Sequence, residues 1–314
     1  MRGNIARPAC PSSSPFLIKE GAGLSSGAPV GNAPMPLPVS LIDSLLAEDT
    51  PDGDLTTLSL GIGGRPGRMM FRARNAMTVA GIEIAAAMIR RVGAEAHIVA
   101  SSGTRASAGE LLLKARGDAK ALHTAWKSSQ TLVEILSGIA TAARSLVDAV
   151  EAVDPAIRVV CTRKTVPGAR RLSVMAVRAG GAVPHRLGLS ETILVFAEHR
   201  AFMPDANLAD IADLLRREAP EKKIGVEVHS VDEAGDAIEA GFDIIQLEKF
   251  EPGEVADVRS LAEAAQSRAL LAAAGGIHPG NASDYVRAGA GIIVSSWPYT
   301  ARPADVSVTI EADG

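Results

Sequence analysis

The chain has 314 residues, 47% of them hydrophobic, and a formal net charge of −4 at pH 7. That length holds one large or two ordinary domains around a sizeable core, and the interspersed charges exclude the basic surface of a nucleic-acid-binding protein. The two cysteines, Cys10 and Cys161, sit far apart at no metal-ligand spacing, which fits a soluble cytosolic protein, and no apolar run is long enough to span a bilayer.

Residues 1–34 are rich in Pro, Ser, Gly and Ala without apolar periodicity and are expected to be disordered. Pro8, Pro11 and Pro15 interrupt the apolar run that a secretory signal requires. Ordered patterning begins just after Met35, a candidate natural start. Ser40 is placed to cap a helix over 41–48, with Leu41, Leu45 and Leu46 on one face. An acidic turn follows and carries Gly-Asp-Leu-Thr-Thr at 53–57, which by itself is an ordinary turn sequence. Apolar or alternating runs at 67–75, 79–82, 95–102 and 110–116, with an Ala-rich helix at 82–92, predict an α+β domain over 35–153 with one open sheet. A helical pattern over 119–153 is interrupted at Ser137-Gly138 and predicts two helices or one kinked helix.

After Asp154-Pro155 the pattern changes to strand-then-helix units, with candidate strands at 157–162, 193–197, 224–228, 243–247, 269–273 and 291–295. Helix-length segments at 208–217, 231–240 and 252–266 separate them, which predicts a parallel sheet over 154–298. Six strands are too few for an eight-stranded barrel, which takes about 250 residues. Residues 299–314 are expected to form a C-terminal segment that returns to the N-terminal domain.

Parallel barrels place their sites at the C-terminal ends of the strands. Those ends carry Arg163 and Lys164, then His199, Glu227 and His229, Glu248 and Lys249, Gly275 and Gly276, and Ser295 and Ser296. Any one of these could be a capping group, and an isolated Arg-Lys pair is usually a solvated loop. The set, joined by His185 and Arg186 behind Gly180-Gly181, instead suits an anionic ligand that brings a divalent metal. Ala274-Gly275-Gly276 before a helix pattern would expose backbone N–H groups as a phosphate cradle, and Ser295-Ser296 add hydroxyl donors. Glu227 and Glu248, from different strands, suit Mg²⁺ shared with substrate oxygens better than zinc.

The motifs Thr162-Arg163-Lys164-Thr165-Val166-Pro167-Gly168 and Pro184-His185-Arg186-Leu187-Gly188-Leu189, with the Gly-Asp-Leu-Thr-Thr element, resemble the signature of the quinolinate phosphoribosyltransferase family, the type II phosphoribosyltransferases. The resemblance covers about 40–310 and is strongest to a branch associated with molybdenum-transport operons. It implies a shortened, six-stranded α/β barrel and a pyrophosphorylase. Such an enzyme transfers the phosphoribosyl group of 5-phosphoribosyl 1-diphosphate to an anionic nitrogen heterocycle, with Mg²⁺. It further implies that Thr162, Arg163 and Lys164 meet the diphosphate and the acceptor carboxylate, and that His185 and Arg186 line the acceptor pocket. Glu227 and Glu248 would hold ribose hydroxyls and Mg²⁺, with Lys164 central to catalysis, and Ala274 to Gly276 with Ser295 and Ser296 would hold the 5′-phosphate. Lys127 matches a family arginine that reaches into a neighbouring subunit's site, which implies a homodimer with shared active sites.

The chain also departs from that pattern. Glu248 stands where the family has aspartate, Ala272 or Ala273 where it usually has glutamate, and Phe196 where the quinolinate enzymes have a lysine. The acceptor pocket therefore loses a cation and gains a ring, so an acceptor with fewer anionic groups than quinolinate is expected. A carboxylating nicotinate-nucleotide diphosphorylase, an aldolase-like barrel using Lys164 as a Schiff-base nucleophile, and a non-catalytic oxyanion sensor remain as alternatives.

Overall fold

The computed structural model describes residues 38–313, so the expectation for 1–34 lies outside the described residues. Helix α1 (Val39–Asp49) starts two residues earlier than expected, with Pro38 at its N-cap and Ser40 inside the first turn. It buries Ile42 and Leu46. The Gly-Asp-Leu-Thr-Thr element gains a physical account in the short α2 (Leu55–Ser59), where the Asp54 carboxylate accepts from the N–H groups of Thr56 and Thr57 at 3.0 and 3.2 Å.

Strands β1 (Pro66–Ala73) and β2 (Met77–Thr78) precede α3 (Ile82–Arg91), and β3 (Glu95–Ile98), β4 (Arg105–Ala106) and β5 (Leu111–Asp118) follow it. β2 pairs with β4 in a sheet of its own, so the expected run at 79–82 is not a strand of the main sheet. Asp118 caps α4 (Ala119–Glu151), which runs unbroken through Ser137-Gly138. Gly138 serves a close approach there, because a Cβ at this position would strike the backbone carbonyl of Arg302 where the returning chain crosses the helix.

The second half supplies β6 (Arg158–Cys161), α5 (Arg170–Ala179), β7 (Val183–Pro184), β8 (Ile193–Val195), α6 (Ala197–Arg200) and α7 (Leu208–Glu218). It continues with β9 (Ile224–Val228), α8 (Val231–Glu239), β10 (Ile244–Glu248), α9 (Pro252–Ala264), β11 (Leu270–Ala274), α10 (Ala282–Arg287) and β12 (Ile292–Ser295). All six expected strands are present in one parallel sheet, ordered β7-β6-β12-β11-β10-β9-β8. The seventh, β7, is two residues long and carries no periodicity to read, since it shows itself only by pairing with Cys161 and Val160. The two edge strands, β7 and β8, are not paired with each other, so the barrel is curled and open.

The last strand, β13 (Val306–Ala312), runs antiparallel along β1 and completes a four-stranded sheet, β13-β1-β5-β3. Side chains in the parallel strands alternate, as the strand period requires. Ile224, Val226, Val228, Ile245, Leu247, Leu271, Ala273 and Ile293 join the core shared with the helices. The opposite parity turns a small cluster of Val160, Ala272, Ala274 and Val294 to the other face of the sheet. Past that cluster, toward the strand ends, the same parity carries polar side chains.

Candidate active site

A cleft of about 540 Å³ opens at the C-terminal ends of the parallel strands. Its wall is built by the inward parity: Leu194 on β8 and Phe196 just after it, Glu227 on β9, Gln246 and Glu248 on β10, Ala274 on β11, and Val294 and Ser296 about β12. The loop after β6 adds Thr162, Arg163 and Lys164, α5 adds Arg170, and the turn after β7 adds His185 and Arg186. That turn is tied to the neighbouring strand end by His185 N–H donating to Cys161 O at 2.8 Å.

Arg186 is only 8% exposed, and among the described residues its guanidinium has no ion pair or side-chain hydrogen bond. Its one recorded partner is the Phe196 ring, 5.6 Å from guanidinium carbon to centroid. Burial, reinforced by Arg163, draws its pKa downward, yet a guanidinium keeps its proton. None of its nitrogens is both buried and unpartnered, so the guanidinium opens into the cleft, where an anionic ligand can pair with it. Burial, then Arg186 and Arg163, also hold the His185 imidazole below its ordinary range, so it is neutral at pH 7.

Glu227 sits between opposing influences. Burial pushes its carboxyl up first and the neighbouring Glu248 second, while the Gln246 amide and His229 favour its charged form. Gln246 Nε2 donates to Glu227 Oε2 at 2.5 Å, and His229 Nε2 lies 3.8 Å from Oε1. Among the described residues no group of three or more His, Cys, Asp or Glu forms a metal cage. Glu227 and Glu248 are oxygen donors of the kind a hard cation takes when substrate oxygens complete its shell.

Both glycines adopt left-handed backbone, and at Gly275 a side chain would also be obstructed. Gly275 has φ +91°, and a Cβ there would come within 2.6 Å of Lys249 Cγ and 2.7 Å of Lys249 N. Lys249 itself is left-handed at φ 61°, with its N–H donating to Ala274 O at 2.7 Å. Asn281 braces the far end of this loop, accepting from His278 N–H at 2.8 Å and donating to Gly276 O at 3.3 Å. α10 has only six residues, so the turn before it offers loop backbone and not a long helix dipole.

Two expected site residues are placed elsewhere. Ser295 has the opposite parity to Ser296 and is buried, its hydroxyl donating to Ile277 O at 2.7 Å and accepting from Trp297 N–H at 3.0 Å. It supports the glycine loop from behind and does not line the cleft. Lys127, exposed on α4, lines a different cleft of about 650 Å³ with Glu48, Asp49, Ile135, Thr165 and Val166. Its ammonium stacks on Trp126, 4.4 Å from the ring centroid. The two clefts lie on either side of the loop that follows β6.

Gln246, Glu198 and Arg170 are cleft residues that the strand-end reading did not assign. Gln246 had a signal: a polar residue in the middle of the strand Ile-Ile-Gln-Leu-Glu, two positions before Glu248 and therefore on its face. Cys161 contributes no chemistry, because burial pushes its thiol up to about 12.

The profile "Quinolinate phosphoribosyl transferase, N-terminal domain" matches residues 54–137, and its C-terminal counterpart matches 139–309. The chain belongs to the quinolinate phosphoribosyltransferase family. It is thus a member of a family of pentosyltransferases. The "putative pyrophosphorylase ModD" of Rhodobacter capsulatus is 49% identical over 247 residues, covering 78% of this chain and 95% of that protein. The "probable nicotinate-nucleotide pyrophosphorylase [carboxylating]" of Methanothermobacter thermautotrophicus is 32% identical over 282 residues, covering 87% and 98%. A solved nicotinate-nucleotide pyrophosphorylase from Francisella tularensis superposes with a TM-score of 0.79 over 87% of this chain and 95% of that one, at 24% identity, which shows the shared fold.

Proposed function

We propose that this chain transfers the phosphoribosyl group of 5-phosphoribosyl 1-diphosphate to the ring nitrogen of a small anionic heterocycle. The carbon–oxygen bond to diphosphate breaks, with the electron pair leaving on diphosphate, and the nitrogen lone pair forms the new carbon–nitrogen bond. The observation that carries this reading is Arg186, without an ion pair among the described residues and beside Arg163, in one cleft with Glu227 and Glu248. Thr162, Arg163 and Lys164 would take up the departing diphosphate, and the Gly275-Gly276 backbone with Ser296 would hold the 5′-phosphate. Glu227 and Glu248 would orient ribose hydroxyls and share Mg²⁺ with the donor. Positioning and electrostatics then supply most of the rate, with no covalent nucleophile. Solvent-exposed Lys164 lacks the desolvation that a Schiff-base amine needs, which counts against the aldolase alternative.

The identity to a protein named ModD exceeds that to nicotinate-nucleotide pyrophosphorylases, so a dedicated NAD-biosynthetic role is not the better reading. A role linked to molybdenum transport in the cytoplasm, and a homodimer that carries Lys127 into the partner's cleft, complete the proposal. Phe196 bears on the acceptor, since a ring stands where a second carboxylate would need a cation. Assayed for diphosphate and CO₂ release, the natural chain should turn over quinolinate poorly and Phe196→Lys should improve it. Natural turnover of about 1 s⁻¹ or more, with no gain from the lysine, would contradict this reading of the pocket.

A further inference from the structure

Gln246 is a polar side chain in the middle of a barrel strand, only 6% exposed. It stands in register with Glu227 on β9 and with Ala272 on β11, so strand parity turns all three to the same face. Across the first of these pairs its Nε2 donates to Glu227 Oε2 at 2.5 Å. An ionised carboxylate can only accept, so this bond fixes which way the amide is turned. The amide nitrogen is taken and the carbonyl oxygen is left over. Among the described residues Oε1 accepts no hydrogen bond, yet it is not an atom sealed away without a partner. It therefore opens into the cleft that Gln246 lines.

No protein group answers that oxygen. Ala272 beside it is a buried methyl, and none of Arg163, Lys164, Arg170 and Arg186, which line the same cleft, donates to it. A polar group held in a buried strand is satisfied by some partner, and here the cleft side is where one can arrive. Two acceptors thus stand side by side, the Gln246 carbonyl and the Glu227 carboxylate, one neutral and one charged, and the hydrogen bond between them fixes their spacing. Two adjacent hydroxyls on a furanose ring present two O–H donors at a matching short spacing. We infer that Gln246 and Glu227 read the diol of a phosphorylated ribose, with Gln246 Oε1 accepting from one hydroxyl and Glu227 from the other. This rests on the assignment of Glu227 to the ribose hydroxyls and makes Gln246 a specificity-determining residue of that site.

The test is calorimetric titration of the full chain, without divalent metal, with ribose 5-phosphate and its 2-deoxy and 3-deoxy analogues. The three sugars carry the same phosphate, so the cations of the cleft, and any that a partner subunit adds, act on all of them alike. The natural chain should bind ribose 5-phosphate about tenfold more tightly than either analogue, because each analogue leaves one acceptor without its donor. Gln246→Met, which keeps length and removes the amide, should bring the affinities for ribose 5-phosphate and at least one analogue within about twofold. Its affinity for inorganic phosphate should stay within about twofold of the natural chain's, which a collapsed site would not allow. Gln246→Glu keeps an acceptor oxygen, so it should retain the preference over both analogues while its added charge weakens all three sugars together. Loss of the preference in both variants would show that Gln246 only holds Glu227 in place, and would overturn the inference. So would a natural chain that binds the three sugars equally or binds none of them. A parallel titration with 5-phosphoribosyl 1-diphosphate and Mg²⁺ separates the two proposals. Hydroxyl preferences without binding of 5-phosphoribosyl 1-diphosphate sink the transferase reading alone, and its binding without hydroxyl preferences sinks only the diol pair.

Discussion

Lys164 and Glu227 line the same cleft and make opposite predictions. Lys164 is exposed and unpaired among the described residues, so its charge is available to a ligand. Lys164→Ala should remove a charge-assisted contact worth roughly 1.5–3 kcal/mol and weaken donor binding about ten- to a hundredfold. Calorimetric affinity unchanged from the natural chain would remove Lys164 from the donor site. Glu227, by contrast, is held in a place that disfavours its charge, with its carboxyl raised by burial and by Glu248. A carboxyl whose folded pKa lies above the unfolded one costs stability once ionised. That cost appears as pH rises from the ordinary carboxylate value through the raised one, and is absent below both. Glu227→Gln should therefore melt higher than the natural chain at pH 7, with the gap closing toward about pH 4, while donor binding with Mg²⁺ weakens. A melting difference independent of pH would refute this sign.

At the level of elements, the site depends on what each strand does after its last ladder bond. β11 ends in Ala274 and turns at once through Gly275 and Gly276, both left-handed, while the neighbouring β10 ends in Glu248 and the left-handed Lys249. The two turns interlock because Lys249 N–H bonds Ala274 O and Gly275 has no side chain to block it. Gly275→Ala should cost about 1–3 kcal/mol through an unfavourable φ and overpacking against Lys249. Thermal unfolding should show that loss together with weaker donor binding. An alanine variant with both properties of the natural chain would mean the turn is not the tight phosphate cradle described.

For the whole molecule, assembly turns on Lys127. Within one chain it lines a cleft separate from the strand-end cleft, so a role in phosphoribosyl transfer requires a second copy. A two-fold pair would let each chain's α4 surface complete its partner's site. If so, Lys127→Ala and Lys164→Ala chains, each inactive alone, should recover part of the activity when mixed and allowed to exchange subunits. Verified exchange without any recovery would confine Lys127 to its own subunit. No helix among the described residues is long and apolar enough to cross a membrane.

The parallel strands and the polar residues at their ends were legible in the sequence because both follow from local rules. Buried parallel strands are apolar runs, and their period of two, taken forward from Ile244 or Gly225, already aligns Gln246, Glu248 and Glu227 on one face. The Gly275-Gly276 turn is equally local, since the backbone conformation it adopts is one that only glycine takes freely. Other features arose only in the folded molecule. Ser137-Gly138 looked like a break in a helix, but α4 is continuous because packing supports it and the chain near Arg302 needs the space that Gly138 leaves. Strand β7 exists through its pairing with β6 and not through its two residues. Ser295 and Ser296 read as one hydroxyl pair, yet strand alternation turned one behind the glycine loop and the other into the cleft. The unpaired charge of Arg186 could not be read from the sequence at all. Whether a cation has a partner depends on residues distant in the chain, and those are brought near or kept away only by tertiary structure.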